Sequence, residues 1–342
     1  MRLAVFAFSR RGLETAERVR AALMGPGDVC AVYAPERLAG EGSLPITPPL
    51  AAFVGPVFRE ADALIFVGAC GIAVRGIAPH VRDKTTDPAV VSVDELARFV
   101  IPLLSGHIGG ANALALELAE KLGASAAVTT ATDINGRFSV DAWAAARGLF
   151  LSDMKAAKAV SAAILEGPVP LKSDFPVRGT LPPGIVPGKS GPVGICISWR
   201  RQTPFKTTLL LVPPAIRLGI GCRRGTPAEA IGALVDETLA DHRVHPAAVK
   251  SVGSIDLKQD EPGLLAFCRE RGWPMEFYTA SQLEAAEGDF TPSDFVRRTV
   301  GVDNVCERAA ALGGGRLVIQ KTAGHGVTVA AAAERFEVRF DG

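Results

Sequence analysis

Two apolar rhythms run through the first part of this chain, and their alternation predicts its elements. Short β-rich runs at Leu3–Phe8, Val29–Tyr33, Ala63–Val67 and Ala126–Thr129 have the length and residue choice of buried parallel strands. Between them, Leu13–Leu23 places apolar residues at helical spacing, and Ala111–Leu122 is rich in Ala, Leu and Glu, the strong helix formers. Such alternation predicts an α/β fold with an open, mostly parallel sheet and flanking helices. Val90–Val93 and Phe99–Leu104, a few polar residues apart, predict a hairpin added to that sheet.

Near Ser152 the rhythm changes. An Ala-rich helix is predicted from Met154 to Leu165, and seven prolines and five glycines then fall between Pro168 and Gly194, a density that argues against helix and against a central strand. Strand-like runs return at Gly194–Trp199 and Thr207–Val212. Residues 150–214 are therefore read as a small α+β bridging domain between an N-terminal α/β domain, 1–149, and a C-terminal α/β domain, 215–342. The last domain opens with a strand at Ile216–Ile220. Thr226 and Glu229 then have the spacing of a capping box, and Pro227 suits a first helical position. Helices near Glu261–Arg271 and Val302–Leu312 flank strands at Val252–Ile255 and Met275–Tyr278, and the runs Leu317–Gln320 and Val327–Ala330 are joined by a polar turn from Lys321 to Gly326.

Composition narrows the classes. The 342 residues carry 37 Lys+Arg against 36 Asp+Glu, a formal +1, with 48% hydrophobic and 21% charged residues. This balance excludes a disordered chain and a polyanion-binding tail, and the absence of a basic stripe argues against nucleic acid as a partner. The longest nearly uninterrupted apolar run, Ala63–Val74, falls short of the roughly 18 residues of a membrane span. Met1–Phe8 runs into Ser9-Arg10-Arg11-Gly12 without a small-residue cleavage site and reads as a first strand, not an export signal. Six scattered cysteines, with no Cys-x-x-Cys pair, match a reducing cytoplasm. His242 and His245, with no third ligand nearby, do not make a metal site.

Chemistry-bearing residues gather after predicted strands. Val67-Gly68-Ala69-Cys70-Gly71-Ile72-Ala73-Val74-Arg75-Gly76 is a strand running into small residues and a helix start. Small residues let a ligand approach the backbone, helix-start amides attract anions, and Arg75 suits a carboxylate or phosphate, so Gly71 and Arg75 are candidate substrate contacts. A plain strand-to-helix turn has the same composition. The Gly-x-x-Gly spacing is not a dinucleotide fingerprint, and no Walker lysine follows. A second loop, Leu104-Ser105-Gly106-His107-Ile108-Gly109-Gly110-Ala111-Asn112, places an imidazole on flexible backbone at the sheet edge, where ligands of open α/β sheets bind. His107 suits general acid or base work, although an imidazole that only braces its loop would look the same. Ser105 lacks the Gly-x-Ser-x-Gly frame of a nucleophile and suits a hydrogen-bonding role. A third cluster, Thr129-Thr130-Ala131-Thr132-Asp133, joins the candidates because it also follows a strand; capping and turn chemistry favour the same residue types. Arg82–Pro88, of mixed charge, reads as a solvated turn. Near the other end, Arg223 and Arg224 after the strand at Ile216–Ile220, and Lys321 and His325 in the last turn, could grip carboxylates on a shared rim.

These residues carry a resemblance. Gly68-Ala69-Cys70-Gly71-Ile72-Ala73-Val74-Arg75, Asp87-Pro88-Ala89-Val90-Val91, Leu103–Asn112 and Thr129–Asp133 resemble the CbiG family, the cobalt-precorrin 5A hydrolases of anaerobic cobalamin biosynthesis. Leu218-Gly219-Ile220-Gly221-Cys222-Arg223 and Gln320-Lys321-Thr322 are similar to that family's C-terminal domain, which also occurs as the separate CobE protein. The Pro-rich bridge is the weakest match.

The resemblance implies hydrolysis of a δ-lactone on a ring-contracted cobalt tetrapyrrole, with release of a two-carbon unit as acetaldehyde. That chemistry needs an activated water, donors for the carbonyl oxygen as it becomes an oxyanion, and an electron sink, which the macrocycle supplies with its own cobalt. No protein metal or cofactor is then expected. Residue chemistry gives His107, with Ser105 and Asp133, the catalytic roles; the Gly109 and Gly110 amides become candidate oxyanion donors, and Gly71, Arg75, Asn112, Thr130, Arg223, Arg224, Lys321 and His325 candidate contacts for the acetate and propionate fringe. A cleft between the first and third domains is the expected seat of the ring. Other enzymes of the pathway and a second copy of the chain are conceivable partners. The competing readings are a non-catalytic corrinoid carrier, which the same loops would serve, and a nucleotide-using enzyme, which the glycine spacing disfavours.

Overall fold

Strand residues of the first sheet divide by parity between its two faces, as a period of two requires. The computed structural model describes residues 1–83, 86–130 and 136–340, and the chain divides into two compact units, Met1–Ala145 and Ala146–Gly342. In the first unit seven strands, β1 (Arg2–Ala7), β2 (Val29–Pro35), β3 (Leu44–Ile46), β4 (Ala63–Val67), β5 (Ala89–Val93), β6 (Phe99–Leu104) and β7 (Ser125–Ala126), lie in the order β3-β2-β1-β4-β5-β6-β7. Helices α1 (Arg10–Leu23), α2 (Leu50–Glu60), α3 (Cys70–Ile77), α4 (Ala111–Leu122) and α5 (Val140–Ala146) accompany them. Leu3, Val5 and Ala7 of β1 face a core built with Val19 of α1 and Leu114, Ala115 and Leu118 of α4, while Ala4 and Phe6 face Val54 and Phe58 of α2 and Ala73 and Ile77 of α3. Phe6 stacks on Phe66 at 4.6 Å between ring centroids. Burying a side chain of that size contributes about 1.5–3 kcal/mol.

Strand direction decides where the loops go. Strands β1 to β5 run parallel, but β6 runs antiparallel to β5, with Val93 opposite Val100 and Val90 opposite Leu104; β7 follows β6 in parallel. The segment after β4 thus leaves at the Val67–Val93 edge, and the segment after β6 leaves at the opposite edge, beside Ala89 and Ala63. The segment after β7 shares that second edge.

The second unit holds two five-stranded sheets and a two-stranded ribbon. Its first half contains β8 (Phe150–Leu151), α6 (Met154–Glu166), β9 (Val169–Ser173), β10 (Val177–Arg178), β11 (Ile185–Pro187), β12 (Val193–Ile197) and β13 (Thr207–Val212), with sheet order β11-β9-β12-β13-β8. The second half contains β14 (Ile216–Cys222), α7 (Ala228–Asp241), β15 (Val249–Ile255), α8 (Pro262–Arg271), β16 (Met275–Tyr278), α9 (Ala280–Glu284), α10 (Asp294–Val300), α11 (Cys306–Ala311), β17 (Arg316–Gly324), β18 (Val327–Ala333) and β19 (Val338–Arg339), with order β16-β15-β14-β18-β17. One apolar core joins the halves: Cys196, Phe205, Leu210 and Val212 pack with Ile216, Leu218, Leu234 and Phe267. Helix α11 lies close on β14, where a Cβ at Gly219 would stand 1.8 Å from the Cys306 carbonyl oxygen.

Three expectations are corrected here. The proline-rich stretch does contain an interior strand: β9 lies between β11 and β12. Pro170 is tolerated because the ladder to β12 begins one residue later, at Leu171 opposite Ile195, so its missing N–H breaks no bond there. The capping box at Thr226 does not form. The Thr226 hydroxyl donates to the Arg223 carbonyl at 2.8 Å, Pro227 becomes the cap position, and α7 starts at Ala228. Lastly, the polar turn is two residues long: β17 runs on to Gly324, and only His325 (φ 52°) and Gly326 (φ 77°) turn the chain, the paired positive φ of a type I′ hairpin. Lys321 is therefore a strand residue.

Candidate active site

The loop from β6 to α4 is folded back on the helix it precedes. The Ser105 carbonyl accepts from Ala111 N–H at 3.1 Å, the Gly106 carbonyl from Asn112 N–H at 2.9 Å, and the His107 carbonyl from Gly110 N–H at 3.0 Å. Ser105 itself adopts φ 56°, a left-handed conformation that costs a non-glycine residue roughly 1–2 kcal/mol. Close packing beneath it fixes this geometry. A Cβ on Gly109 would stand 2.4 Å from Ser105 Cβ and 3.2 Å from the Asp87 carbonyl oxygen, so only glycine fits. The Ser105 hydroxyl is buried and has no hydrogen-bond partner among the described residues. A buried, unpaired hydroxyl is costly, and a ligand atom that paired with it would recover that cost.

His107 is largely buried in the same loop, and its Nδ1 lies 3.3 Å from Asp141 Oδ1 in the first turn of α5. Asp141 is buried too, and the same oxygen accepts from Ser139 Oγ at 3.0 Å and from Ala142 N–H at 3.1 Å. Asn112, at the start of α4, donates through Nδ2 to Thr130 Oγ1 at 3.0 Å, which ties the segment after β7 to the loop. Asp87 is buried beside them, where a solvated turn was expected, and accepts from Arg82 N–H at 2.9 Å. Together these groups give an imidazole braced by a carboxylate, an idle hydroxyl, and helix-start backbone, the equipment of general acid–base chemistry beside an anion.

The structure thus brings Ser105, His107, Gly109, Gly110, Asn112 and Thr130 together. It does not bring the two glycine-bearing loops of this unit to one edge. Gly71 opens α3 at the Val67 end of β4, and the reversal of β6 puts the His107 loop at the other end of the strands. Arg75, in the last turn of α3, is exposed. Gly110 is corrected as an oxyanion donor, because its N–H is already given to His107; the Gly109 amide remains the donor to consider. Asp133 lies outside the described residues.

In the second unit, Arg223 follows β14 directly and donates its N–H to the Gly326 carbonyl at 2.9 Å, so Arg223 and the His325 turn do share a rim. Arg224 beside it is exposed, 3.5 Å from exposed Asp260. Lys321 sits away from that turn, in β17, where its N–H donates to Glu307 Oε1 at 2.7 Å. Behind the arginines, Glu261 accepts from Gly225 N–H at 2.6 Å and pairs with Lys258 at 3.1 Å. Burial alone would raise the Glu261 carboxyl, but these partners outweigh it and hold the group below its ordinary value.

Asp141, Ser139 and the buried state of Asp87 were not found from the sequence. Asp141 belongs to no motif and lies far from His107 along the chain, so only the folded α5 reveals it. Asp87 carried a signal, since Asp87-Pro88 leads directly into β5.

Comparison with known proteins agrees with the resemblance. Residues 52–133 match the family described as Cobalamin synthesis G N-terminal, and residues 216–332 match Cobalamin synthesis G C-terminus. A cobalt-precorrin-5A hydrolase of Salmonella typhimurium is 37% identical over 342 aligned residues, covering 96% of each chain. This chain belongs to the cobalamin synthesis G family. A cobalt-precorrin-5A hydrolase of Priestia megaterium is 31% identical over 81% of this chain and 79% of its own. Protein CobE of a Sinorhizobium species is 40% identical over 119 residues, 34% of this chain and 77% of its own. The His107 loop falls inside the first family region and the Arg223–His325 rim inside the second. Asp141 lies in neither.

Proposed function

We propose that this protein is a cobalt-precorrin-5A hydrolase of cobalamin biosynthesis, acting on the δ-lactone of a ring-contracted cobalt tetrapyrrole. The observation that carries this reading is the 37% identity, over 96% of both chains, to a relative of that name. The braced imidazole of the β6–α4 loop supplies matching chemistry.

In this mechanism His107 takes a proton from water as the oxygen attacks the lactone carbonyl. The carbonyl oxygen gains negative charge and meets the Gly109 amide, with Ser105 Oγ as a further donor. That hydroxyl lacks the Gly-x-Ser-x-Gly frame of a nucleophile and keeps a hydrogen-bonding role. The tetrahedral intermediate collapses with cleavage of the ring C–O bond, leaving a carboxylate and an alkoxide. The alkoxide forms the carbonyl of acetaldehyde as its carbon–carbon bond to the macrocycle breaks, and the bonding pair passes to the conjugated ring. Cobalt enters as part of the substrate, and no further cofactor is assigned. Arg75, Arg223, Arg224 and His325 are proposed contacts for peripheral carboxylates, Arg223 and His325 acting as neighbours. A cytoplasmic setting is proposed; the six thiols, none of them in a disulfide, support a reducing compartment.

Anaerobic turnover in ¹⁸O-labelled water tests this reading. The ring-opened product is expected to carry one heavy oxygen in its new carboxylate and to have lost the two-carbon unit. Tight binding of an unchanged lactone would make the protein a carrier instead.

A further inference from the structure

The feature left unused by this mechanism is the buried carboxylate behind the imidazole. We propose that Asp141 is a positioning residue for His107, holding the ring with its proton on Nδ1 so that the neutral imidazole presents Nε2 as the basic nitrogen. The proposal rests on the reading that His107 moves protons. Asp141 Oδ1 receives the Ser139 hydroxyl at 3.0 Å and the Ala142 amide at 3.1 Å, and the His107 Nδ1 stands 3.3 Å from it. An ionised carboxylate only accepts hydrogen bonds, so the nitrogen facing it is favoured as the protonated one. Contacts of this kind are long in unliganded sites and tighten when substrate binds. Among the described residues the Ser139 hydroxyl and the Ala142 amide help to hold Asp141 in place, and the positive-φ turn at Ser105 and the cradle at Gly109 hold the loop that carries His107. Both sides of the contact are therefore preorganised, as an acid–base centre requires.

A clamp that merely pinned the loop to α5 would have the same distance, so the test must read the ring. In the ¹⁵N imidazole spectrum of the full-length protein, at a pH where the ring is neutral, the His107 signal is assigned by its loss in His107→Gln. It is expected to show the Nδ1–H tautomer, and Asp141→Asn is expected to shift it towards Nε2–H. Finding Nε2–H in the unsubstituted protein, or an unchanged tautomer in Asp141→Asn, overturns the proposal. In turnover, Asp141→Asn should lower kcat roughly tenfold or more with KM unchanged, and should cost nothing further in a His107→Gln background, because residues acting through one another are not additive. Asp141→Glu should restore part of the loss. If Asp141→Asn fails to fold, Ser139→Ala keeps the charge and loosens its hold, and a mixture of tautomers with a smaller fall in kcat is expected; an unchanged tautomer there counts against the proposal. An unsubstituted protein that releases no acetaldehyde overturns the functional reading while the spectrum still judges Asp141. An active enzyme indifferent to Asp141→Asn overturns this inference alone.

Discussion

A serine held in a left-handed conformation, with its hydroxyl buried and without a hydrogen-bond partner among the described residues, is an expensive arrangement. What maintains it is the absence of a side chain at Gly109. Gly109→Ala would press its methyl into Ser105 and the Asp87 backbone, overpacking that costs about 1–3 kcal/mol and displaces the His107 loop. The expected outcome is a folded protein with a slightly lower melting temperature and most of its turnover lost; full activity would show that the loop's geometry does not matter. The sequence disclosed the glycines and the histidine here because rare residue types in a short run are conspicuous. It did not disclose Asp141, an ordinary acidic residue made significant only by long-range packing.

Element direction explains the main difference between sequence and structure. Strands β1, β2, β4, β5 and β6 of the first unit and the β5–β6 hairpin were legible, since apolar runs bounded by polar turns have few other solutions. The short edge strand β3 was not predicted, and β7 is Ser125–Ala126, following the reversed β6, where a strand parallel to the others was expected at Ala126–Thr129. Yet a hairpin reverses β6, and that reversal sends the His107 loop to the edge opposite Gly71, a consequence that the pattern contained but that counting loops after strands conceals. Interior strand β9 was hidden for another reason: Pro170 spoils a strand only where its N–H would face a partner. The His325–Gly326 turn offers a test at this level. Gly326→Ala puts a Cβ on a left-handed residue and close to the Arg223 side chain, and should cost about 1–2 kcal/mol, whereas His325→Asn, a residue at ease with positive φ, should be neutral or stabilising. Thermal melts of both variants check this, and equal melting temperatures would contradict the turn assignment.

For the molecule as a whole, acid sensitivity follows from the charge network of the second unit. Arg217 pairs with Glu276 at 2.7 Å and with Glu334, and Lys250 reaches Glu334 at 2.7 Å, tying β14, β15, β16 and the segment after β18. Burial opposes ionisation of both glutamates, but Arg217 and Lys250 around Glu334, and Tyr278 and Arg217 around Glu276, outweigh it and hold both below the ordinary value of 4.5. Carboxyls depressed on folding stabilise the folded state fully above their unfolded value, and that stabilisation disappears as pH falls through the folded values. Urea midpoints should therefore lack a contribution from these groups to any change between pH 7 and about pH 5 and should fall below pH 4.5, and Arg217→Gln should flatten the fall. A fall of undiminished size in Arg217→Gln would remove the network from the account.

The central claim is that this chain hydrolyses its tetrapyrrole lactone through His107. Acetaldehyde released during anaerobic incubation with the cobalt lactone, measured side by side for the unsubstituted protein and a folded His107→Gln, tests it most directly. The account predicts stoichiometric release by the first and a rate lower by about 100-fold or more for the second. Equal release by both, or none by either, would contradict it.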